Sequence, residues 1–454
     1  MSTVAPVELR AAFARQMAEI YGREVPAYLT LVAVAEQVNA DVLARDGADA
    51  ERLGSISRVT AERHGAIRVG TAKELRQVSR IFAAMGMFPV GFYDLREAAK
   101  AAVPVVSTAF RPIEADELAA NPFRMFTSLL VTDDRRFFSP ELQERLDAFL
   151  AARTLFAPEL LSLAEQAISE GGLPSEAAWR FLSLATAAFT LSDEPVDADW
   201  YAELEAISAV AADIGGVTST HINHLTPRVL DIDELYRRMT ARGITMIDTI
   251  QGPPRWDGPD VLLRQTSFRA LAEPRRFRAA DGSLFEGSLR VRFGEVEARG
   301  IALTPAGRDR YDALLASVDR GMAASPERHR QDVAAEVWQS GWPSTELGLL
   351  REGLAFFRFN AHGNLGSGSV VDLVARGELS ATPIVYEDFL PRSAAGIFAS
   401  NLTSDGSKDV TAAGVRRDIA WLSEVLGVEV RDPMQLYAAE QQRSLSELRL
   451  PASV

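Results

Sequence analysis

The interpretation of this sequence depends on one stretch, Gly215-Gly216-Val217-Thr218-Ser219-Thr220-His221-Ile222-Asn223-His224-Leu225-Thr226-Pro227-Arg228. Its valine, isoleucine and threonines, between a glycine pair and a proline, predict a β-strand that carries two of the chain's five histidines. Alternate side chains of a strand face the same way, so His221 and His224 would point to opposite faces. Histidine is the commonest metal ligand, although a single strand histidine is more often a core residue. Only one of the two can line a given pocket, and other strands must supply further ligands.

The composition excludes several kinds of site. The chain has 454 residues, enough for two or three domain-sized units, and its net charge of −14 argues against a general nucleic-acid or membrane surface. It has no cysteine, so disulfides, thiolate nucleophiles and cysteine-bound metals are excluded. The N-terminus lacks an apolar signal core, and no apolar run is long enough to span a bilayer. We therefore expect a cytoplasmic protein, in which an anionic substrate would need a local cationic pocket.

The order of predicted elements repeats once along the chain. Each copy reads strand, helix, strand, strand, strand, and the second copy begins with the stretch quoted above. In the first copy we predict an extended segment over 56–69, a helix from Thr71 to Ala84, and strands over 88–95, 103–111 and 123–132. Thr71 is a good N-cap, and Glu74 three residues later completes a capping box. The predicted segments are a helical lead-in (1–55), a first βαβββ module (56–135), a helical insert (136–212), a second βαβββ module with the metal site (213–304), and a mainly helical C-terminal region (305–454) with a substrate-closing loop near 386–400.

Two such modules side by side predict an α+β fold with a curved central sheet, on which side chains from different strands converge. The first strand of module one carries His64, and the first strand of module two carries His221 and His224. The last strand of module two carries Glu295 and Glu297, which share a face. Two histidines and one carboxylate from three strands form a facial triad, a ligand set typical of iron(II) with open positions.

Other interpretations fit the same pattern. The two glutamates could form a solvated face and pair with Arg292 or Arg299. Paired βαβββ modules also serve metal-dependent lyases and isomerases, which would use a fourth protein ligand, and metal-free binding proteins. The last strand of module one has no acid before its end, which argues against the fourth ligand.

Five stretches carry a family resemblance. They are Arg63-His64-Gly65-Ala66-Ile67-Arg68, Met85-Gly86-Met87-Phe88-Pro89-Val90-Gly91-Phe92-Tyr93-Asp94-Leu95, His221-Ile222-Asn223-His224-Leu225-Thr226-Pro227-Arg228, Phe293-Gly294-Glu295-Val296-Glu297-Ala298-Arg299-Gly300, and Tyr386-Glu387-Asp388-Phe389-Leu390-Pro391 with Ala394-Ala395-Gly396. Together, over residues 60–400, they resemble the bacterial 2-oxoadipate dioxygenase/decarboxylase family of the vicinal oxygen chelate superfamily, related to hydroxymandelate synthase.

The resemblance implies an iron(II) enzyme that takes O2 and a 2-oxo dicarboxylic acid as its small-molecule partners. For 2-oxoadipate the products would be CO2 and 2-hydroxyglutarate, a step in lysine breakdown. The metal ligands would be His64, His224 and Glu295, and His221 would be left to support the site or the core. His329 and His362 lie in helical or loop contexts and are expected to be non-ligands.

The resemblance also places the substrate. Arg68 lies four residues after His64, so it shares that residue's face of a strand, and its guanidinium would bind the distal carboxylate. Ser393 and the residue before it would border the same carboxylate. Arg392 stands where a small apolar residue is expected in relatives, and it would favour a longer or differently charged acid. The alternative for Arg68 is a salt bridge to Glu62 or Glu74.

Overall fold

The computed structural model describes residues 3–97, 102–290, 292–401, 408–409 and 411–450. Within these ranges, residues 392, 394, 395, 398 and 399 are described by their backbone alone. No helix in the described ranges is long and apolar enough to cross a membrane.

The N-terminal half begins with helices and continues into the first group of strands. The lead-in contains β1 (Thr3–Val4), α1 (Pro6–Glu24), α2 (Pro26–Asp46), a 3-10 helix (Gly47–Glu51) and α3 (Ile56–Ala61). It is followed by β2 (Arg63–Val69), α4 (Ala72–Ala83), β3 (Phe88–Asp94), β4 (Val105–Arg111), α5 (Ala115–Ala120) and β5 (Arg124–Leu130). The predicted helix start is confirmed: Oγ1 of Thr71 accepts from the amide of Glu74, and Glu74 accepts from the amide of Thr71.

A helical segment separates the first strands from the second group. It contains α6 (Pro140–Ala152), α7 (Pro158–Glu170), β6 (Leu173–Pro174), α8 (Ser175–Ala188), β7 (Val196–Asp197), α9 (Ala198–Glu205) and α10 (Ala209–Gly215). The second group contains β8 (His224–Pro227), α11 (Ile232–Ala241), β9 (Leu263–Ser267), β10 (Glu273–Arg278), β11 (Leu284–Leu289) and β12 (Glu295–Arg299).

The C-terminal region is mainly helical, with one antiparallel strand pair. It contains α12 (Pro305–Ala324), α13 (Arg330–Gly341), α14 (Glu346–Arg351), β13 (Phe357–Ala361), α15 (Val370–Ala375), β14 (Leu379–Pro383), α16 (Pro391–Asn401), α17 (Ile419–Leu426) and α18 (Pro433–Glu447).

A five-stranded sheet brings the two strand groups together in the order β3-β4-β5-β2-β8. Strand β2 runs parallel to β5 and antiparallel to β8, so that Ala66 pairs with His224 and His64 with Thr226. Just after β8, a parallel bridge joins Arg228 to Glu297 of β12, which itself pairs with β9. The first strands of the two groups are therefore neighbours, with β12 directly beside them.

Alternate residues of the sheet pack into two hydrophobic cores, one on each face. One core contains Ala66, Ala109 and Phe126, and the other contains Ile67, Phe110 and Met125. By the same alternation His64 and Arg68 lie on the face of Ala66. The α+β class is confirmed, and the sheet gives the two histidine-bearing strands a shared face.

Several predicted elements differ from the structure. Residues 56–61 form α3 rather than the start of a strand, because Ser55 caps that turn by accepting from the amide of Arg58. Strand β8 begins only at His224, so the alternation argument for His221 does not apply. Helix α16 begins at Pro391, inside the segment predicted to be a loop, and a proline at the first helical position suits a helix start. The other segment boundaries stay a prediction.

Candidate metal centre

Three buried side chains from three strands converge on one point. Nε2 of His64 lies 3.6 Å from Oε1 of Glu295, and Nε2 of His224 lies 3.6 Å from Oε2 of the same carboxylate. One potential ligand atom from each of the three residues lies within 4.8 Å of the other two. The pairing of β2 with β8, together with the position of β12, produces this arrangement. These are the three residues that the family resemblance implies as metal ligands.

Each of the three side chains has a further polar neighbour. Nδ1 of His64 lies 2.9 Å from Oε2 of Glu297, an ion-pair distance. Nδ1 of His224 lies 3.0 Å from Oγ1 of Thr226, and the amide of Gln265 donates to Oε1 of Glu295. Both imidazoles therefore present Nε2 towards the shared carboxylate.

Burial controls the charge of all three side chains. Burial lowers the pKa of His64, and burial with the nearby His64 and Arg68 lowers the pKa of His224 well below its usual range. Burial and the neighbouring Glu297 raise the pKa of Glu295 well above its usual range. The histidines are thus held neutral, the form that binds metals, and the carboxylate lies where a cation would relieve the cost of its charge.

A mostly apolar cavity adjoins the three side chains. It is small, with a volume of about 20 Å³, which is room for about one water molecule. Its walls are formed by His64, Phe126, His224, Gln265, Phe293, Glu295, Phe389 and Ile397. The ring of Phe389 packs edge-on against His64 at 4.9 Å between centroids, and the ring of Phe293 stacks on His224 at 5.3 Å. The walls beside the two histidines are thus aromatic.

A network of buried ion pairs lies behind the centre. Its seven members are Arg58, Glu62, Arg124, Arg228, Glu297, Arg299 and Glu387. Arg299 binds Glu297 with two parallel hydrogen bonds of 2.7 and 2.9 Å, and Arg124 joins Glu62 to Glu387 at 2.8 and 2.6 Å. The alternative in which the two glutamates form a solvated face is wrong, because Glu295 and Glu297 are 4% and 0% exposed. Only Glu297 takes the predicted pairing with Arg299.

Arg68 lies on the expected face but has a different acidic neighbour from the two considered. Its Nη1 donates to Oδ2 of Asp213, while Glu62 and Glu74 bind other arginines. Nε2 of His221 lies 3.3 Å from Oδ1 of Asp213. His221 thus belongs to the group around Arg68 and is separate from the three converging ligands.

The other predicted residues whose side chains are described do not line the cavity beside His64. Ser393 is buried on α16 and lines a neighbouring cavity with Gln251. It precedes Ile397 by one helical turn, so the two share a face of α16. The side chain of Arg392 lies outside the described part of the structure. His329 and His362 are both exposed, as expected of non-ligands.

Some residues of the site were missed by the sequence interpretation. Phe293 and Phe389 stand inside two of the quoted stretches, so the signal was present but no role followed from it. Gln265 and Phe126 carry no comparable signal, because a strand glutamine or phenylalanine is ordinary in any core. Asp213 was missed because it is brought to Arg68 by α10, from a helical segment whose pattern shows only helix.

The donor set fits a divalent transition metal. Two imidazole nitrogens and one carboxylate converge, and among the described residues no arginine forms a fork with Glu295 of the kind that binds Glu297. A set of this kind suits a metal with borderline ligand preference and leaves positions open for other molecules. The fold and the site therefore define a mixed α+β protein whose buried two-histidine, one-carboxylate group could hold a metal ion.

Comparison with known proteins agrees with this class. A sequence model of the 2-oxoadipate dioxygenase/decarboxylase family matches residues 13–401. The chain is 56% identical over 432 residues to a 2-oxoadipate dioxygenase/decarboxylase of Mycobacterium bovis, covering 95% of this chain and 96% of the relative. It is 40% identical to one of Pseudomonas putida, covering 97% and 96%. A Pseudomonas putida hydroxyglutarate synthase, solved in complex with 2-oxoadipate, superposes with a TM-score of 0.85 at 37% identity over 98% of both chains. The chain belongs to the 2-oxoadipate dioxygenase/decarboxylase family.

Proposed function

We propose that this protein is an iron(II)-dependent dioxygenase that converts 2-oxoadipate and O2 to 2-hydroxyglutarate and CO2, in lysine breakdown. The observation that carries the proposal is the convergence of His64, His224 and Glu295 beside a small cavity. The names of the relatives and the 2-oxoadipate in the Pseudomonas putida structure support the substrate.

The ligand count favours an oxygenase over a lyase or isomerase of the vicinal oxygen chelate type. Within the described part of the chain, the group around His64 contains three potential metal ligands and no fourth. Three protein ligands leave room for both a chelating substrate and a small molecule. Bound iron(II) would supply the redox chemistry that activates O2.

The reaction balances without a further reductant. The C1–C2 bond of the 2-oxo acid breaks, its electrons reduce O2, and C1 leaves as CO2. One oxygen atom completes the new carboxylate at the former keto carbon. The other is inserted into a C–H bond of the adjacent carbon, and the two electrons of that bond complete the reduction of O2. The chain's own tasks are to hold three ligands and to exclude water, which Phe126, Phe293 and Phe389 do by walling the cavity.

We also propose that Arg68 binds the distal carboxylate of the substrate and that Ser393 borders it. Arg68 lies on the face of β2 that carries His64, and Asp213 fixes its guanidinium. Arg392 would add a second cation and shift selectivity towards longer or differently charged acids. Turnover of a panel of 2-oxo acids by the native protein and by Arg392→Val tests this role. Equal selectivity in the two proteins would remove it.

The main test is oxygen consumption by the protein loaded with iron(II). We expect one 2-hydroxyglutarate and one CO2 for each O2 consumed with 2-oxoadipate, and no requirement for added 2-oxoglutarate. His224→Ala should bind no iron and consume no O2, whereas His362→Ala, at an exposed histidine, should behave as the native protein. A native protein that binds no iron(II), or that binds it and leaves O2 untouched, contradicts the proposal.

The arrangement of the strands as paired vicinal oxygen chelate modules is also a proposal. It is supported by the parallel pairing of β2 with β5 and by the parallel bridge from Arg228 to β12, which give the two groups similar connections. The cytoplasmic location stays a prediction.

A further inference from the structure

His64 lies between two glutamates of one strand. Its Nε2 is 3.6 Å from Oε1 of Glu295, and its Nδ1 is 2.9 Å from Oε2 of Glu297. Residues two apart on β12 point to the same side, so both carboxylates reach β2. The imidazole ring thus has a candidate metal ligand on one nitrogen and a second carboxylate on the other.

The carboxylate of Glu297 is fixed in place. Arg299 binds it with two hydrogen bonds of 2.7 and 2.9 Å, and Nη1 of Arg124 lies 3.5 Å from it. A fork of this kind restricts both the position and the plane of the carboxylate. Glu297 is therefore held against His64 by residues that do not contact the metal cavity.

We propose that Glu297 is a positioning residue, which accepts the Nδ1–H of His64 and thereby directs the unprotonated Nε2 to the metal. This inference rests on the proposed metal site. An anionic acceptor behind a histidine ligand fixes its tautomer and makes it a stronger donor, and loss of such a partner typically weakens metal binding by about 10- to 100-fold.

The two histidine ligands are supported differently. Behind His224, Nδ1 meets the neutral hydroxyl of Thr226 at 3.0 Å. Hydrogen bonds to an ionised acceptor are roughly twice as strong as those between neutral groups. His64 is therefore the more strongly oriented of the two, and Glu297→Gln should weaken metal binding more than Thr226→Val does.

A purely structural role for Glu297 would predict a different result from a positioning role. Glu297 could serve only to neutralise Arg124 and Arg299, a task it shares with Glu62, which lies 2.8 and 3.2 Å from the same two guanidinium groups. Glu62→Gln removes a carboxylate from these arginines and leaves the contact between Glu297 and His64 in place. It is the matched control for Glu297→Gln.

The experiment is a zinc(II) titration of the metal-free native protein, Glu297→Gln and Glu62→Gln, in competition with a chelator. Zinc(II) is used because it takes the same ligands without oxidation. We expect Glu297→Gln to raise the Kd by about 10- to 100-fold and Glu62→Gln to change it by less than about 3-fold. Equal affinity of Glu297→Gln and the native protein, or an equal loss in both variants, overturns the positioning role. A native protein that binds neither zinc(II) nor iron(II) overturns the metal site itself.

A measurement on the native protein covers the case in which Glu297→Gln does not fold. In the zinc(II)-loaded, ¹⁵N-histidine-labelled protein, we expect His64 to show a protonated, slowly exchanging Nδ1 and a metal-bound Nε2. Coordination through Nδ1, or a rapidly exchanging Nδ1 proton, overturns the proposal.

Discussion

The buried guanidinium of Arg68 donates a hydrogen bond to Oδ2 of Asp213, a carboxylate 145 residues further along the chain. Asp213 also accepts a hydrogen bond of 2.9 Å from Nδ2 of Asn223, the residue next to His224. Asp213 therefore contacts both Arg68, the proposed substrate-binding residue, and the neighbour of His224, a proposed metal ligand. Because charged hydrogen bonds restrict a guanidinium in position and plane, Asp213 sets where Arg68 points.

We predict that Asp213→Asn raises the KM for 2-oxoadipate by about 10-fold and changes kcat less, because one charged hydrogen bond to Arg68 weakens by about 1.4 kcal/mol. Steady-state oxygen consumption measures both constants. Glu74→Gln is the control, since Glu74 forms a similar buried pair with Arg153. The prediction fails if the two variants raise KM equally, or if kcat alone falls in Asp213→Asn.

A pH dependence follows from His221. Burial lowers the pKa of His221 to about 4, although Asp213 beside it favours the charged form. The unfolded chain takes up a proton on this residue below about pH 6.5, which the folded protein does not take up until about pH 4. Stability is therefore lost as the pH falls through this window, by at most about 1.4 kcal/mol per pH unit.

The test is denaturant unfolding of the native protein and of His221→Gln between pH 4 and pH 7. We expect the free energy of unfolding to fall less steeply with decreasing pH in the variant, with the difference confined to that window. His362→Gln, at an exposed histidine, should follow the native profile. Parallel profiles for the native protein and His221→Gln would contradict the pKa assigned to His221.

Local sequence signals located part of this fold well. The helix α4 was predicted nearly to the residue because Thr71 and Glu74 form a capping box and the apolar face is regular. Strands β3, β4 and β5 were predicted from their β-branched and aromatic content, with ends that differ from the structure by at most two residues. Such signals depend on neighbours within a few positions, and those positions are all present in the sequence.

Local signals gave a wrong prediction at residues 217–223, because strand formation there depends on long-range pairing. The valine and threonines there predict a strand, and the segment is largely buried, but its hydrogen bonds go to separate places. The amide of Ile222 donates to the carbonyl of Phe189, and the amide of Asn223 donates to that of Ala66. Regular pairing starts only at His224, where β2 becomes the partner. Which chain segment lies alongside is a property of the tertiary structure.

Local signals were also insufficient to select the three proposed metal ligands. His64, His224 and Glu295 were identified through the family resemblance, and the structure brings them together. Strand geometry alone did not separate Glu295 from Glu297, because both point to the same side. The two glutamates differ in their partners, because Arg299 pairs with Glu297. Arg299 is on the same strand and faces the same side, so the alternation of side chains does not predict this pairing.

Glu295 should destabilise the protein when no metal is bound. Burial and Glu297 raise the pKa of Glu295 well above its usual range. The folded metal-free protein therefore keeps a proton that the unfolded chain loses above about pH 4.5, and stability falls as the pH rises beyond that value. We predict that Glu295→Gln stabilises the metal-free protein at pH 7 by about 1 to 3 kcal/mol and abolishes tight metal binding.

Thermal unfolding with and without zinc(II) tests whether Glu295 lowers the stability of the metal-free protein and is needed for metal binding. The native protein should gain a higher Tm on addition of zinc(II), whereas the variant should start higher and gain little. Gln265→Ala is a useful comparison, since it removes the donor to Glu295 and keeps the carboxylate. A variant Glu295→Gln that is less stable than the native protein without metal would contradict the cost assigned to this side chain.

Phe389 should control how efficiently oxygen consumption leads to product. Its ring packs on His64 at 4.9 Å and on Phe126 at 5.0 Å between centroids, and it walls the metal cavity. Phe389→Ala opens this wall to water, so we predict a lower ratio of 2-hydroxyglutarate formed to O2 consumed, with metal affinity changed by less than about 3-fold. The truncation should also lower stability by about 3 kcal/mol.

Phe110→Ala separates the two effects. Phe110 is fully buried in the core on the other face of β4, so its truncation should destabilise the protein to a similar extent and leave the product ratio unchanged. Both variants are measured at 25 °C, where each must first be shown to be folded. A product ratio that falls equally in the two would mean that lost stability, and not water entering beside His64, uncouples the reaction. If Phe389→Ala gives the same ratio of product to O2 consumed as the native protein, then this ring does not keep water from the reaction.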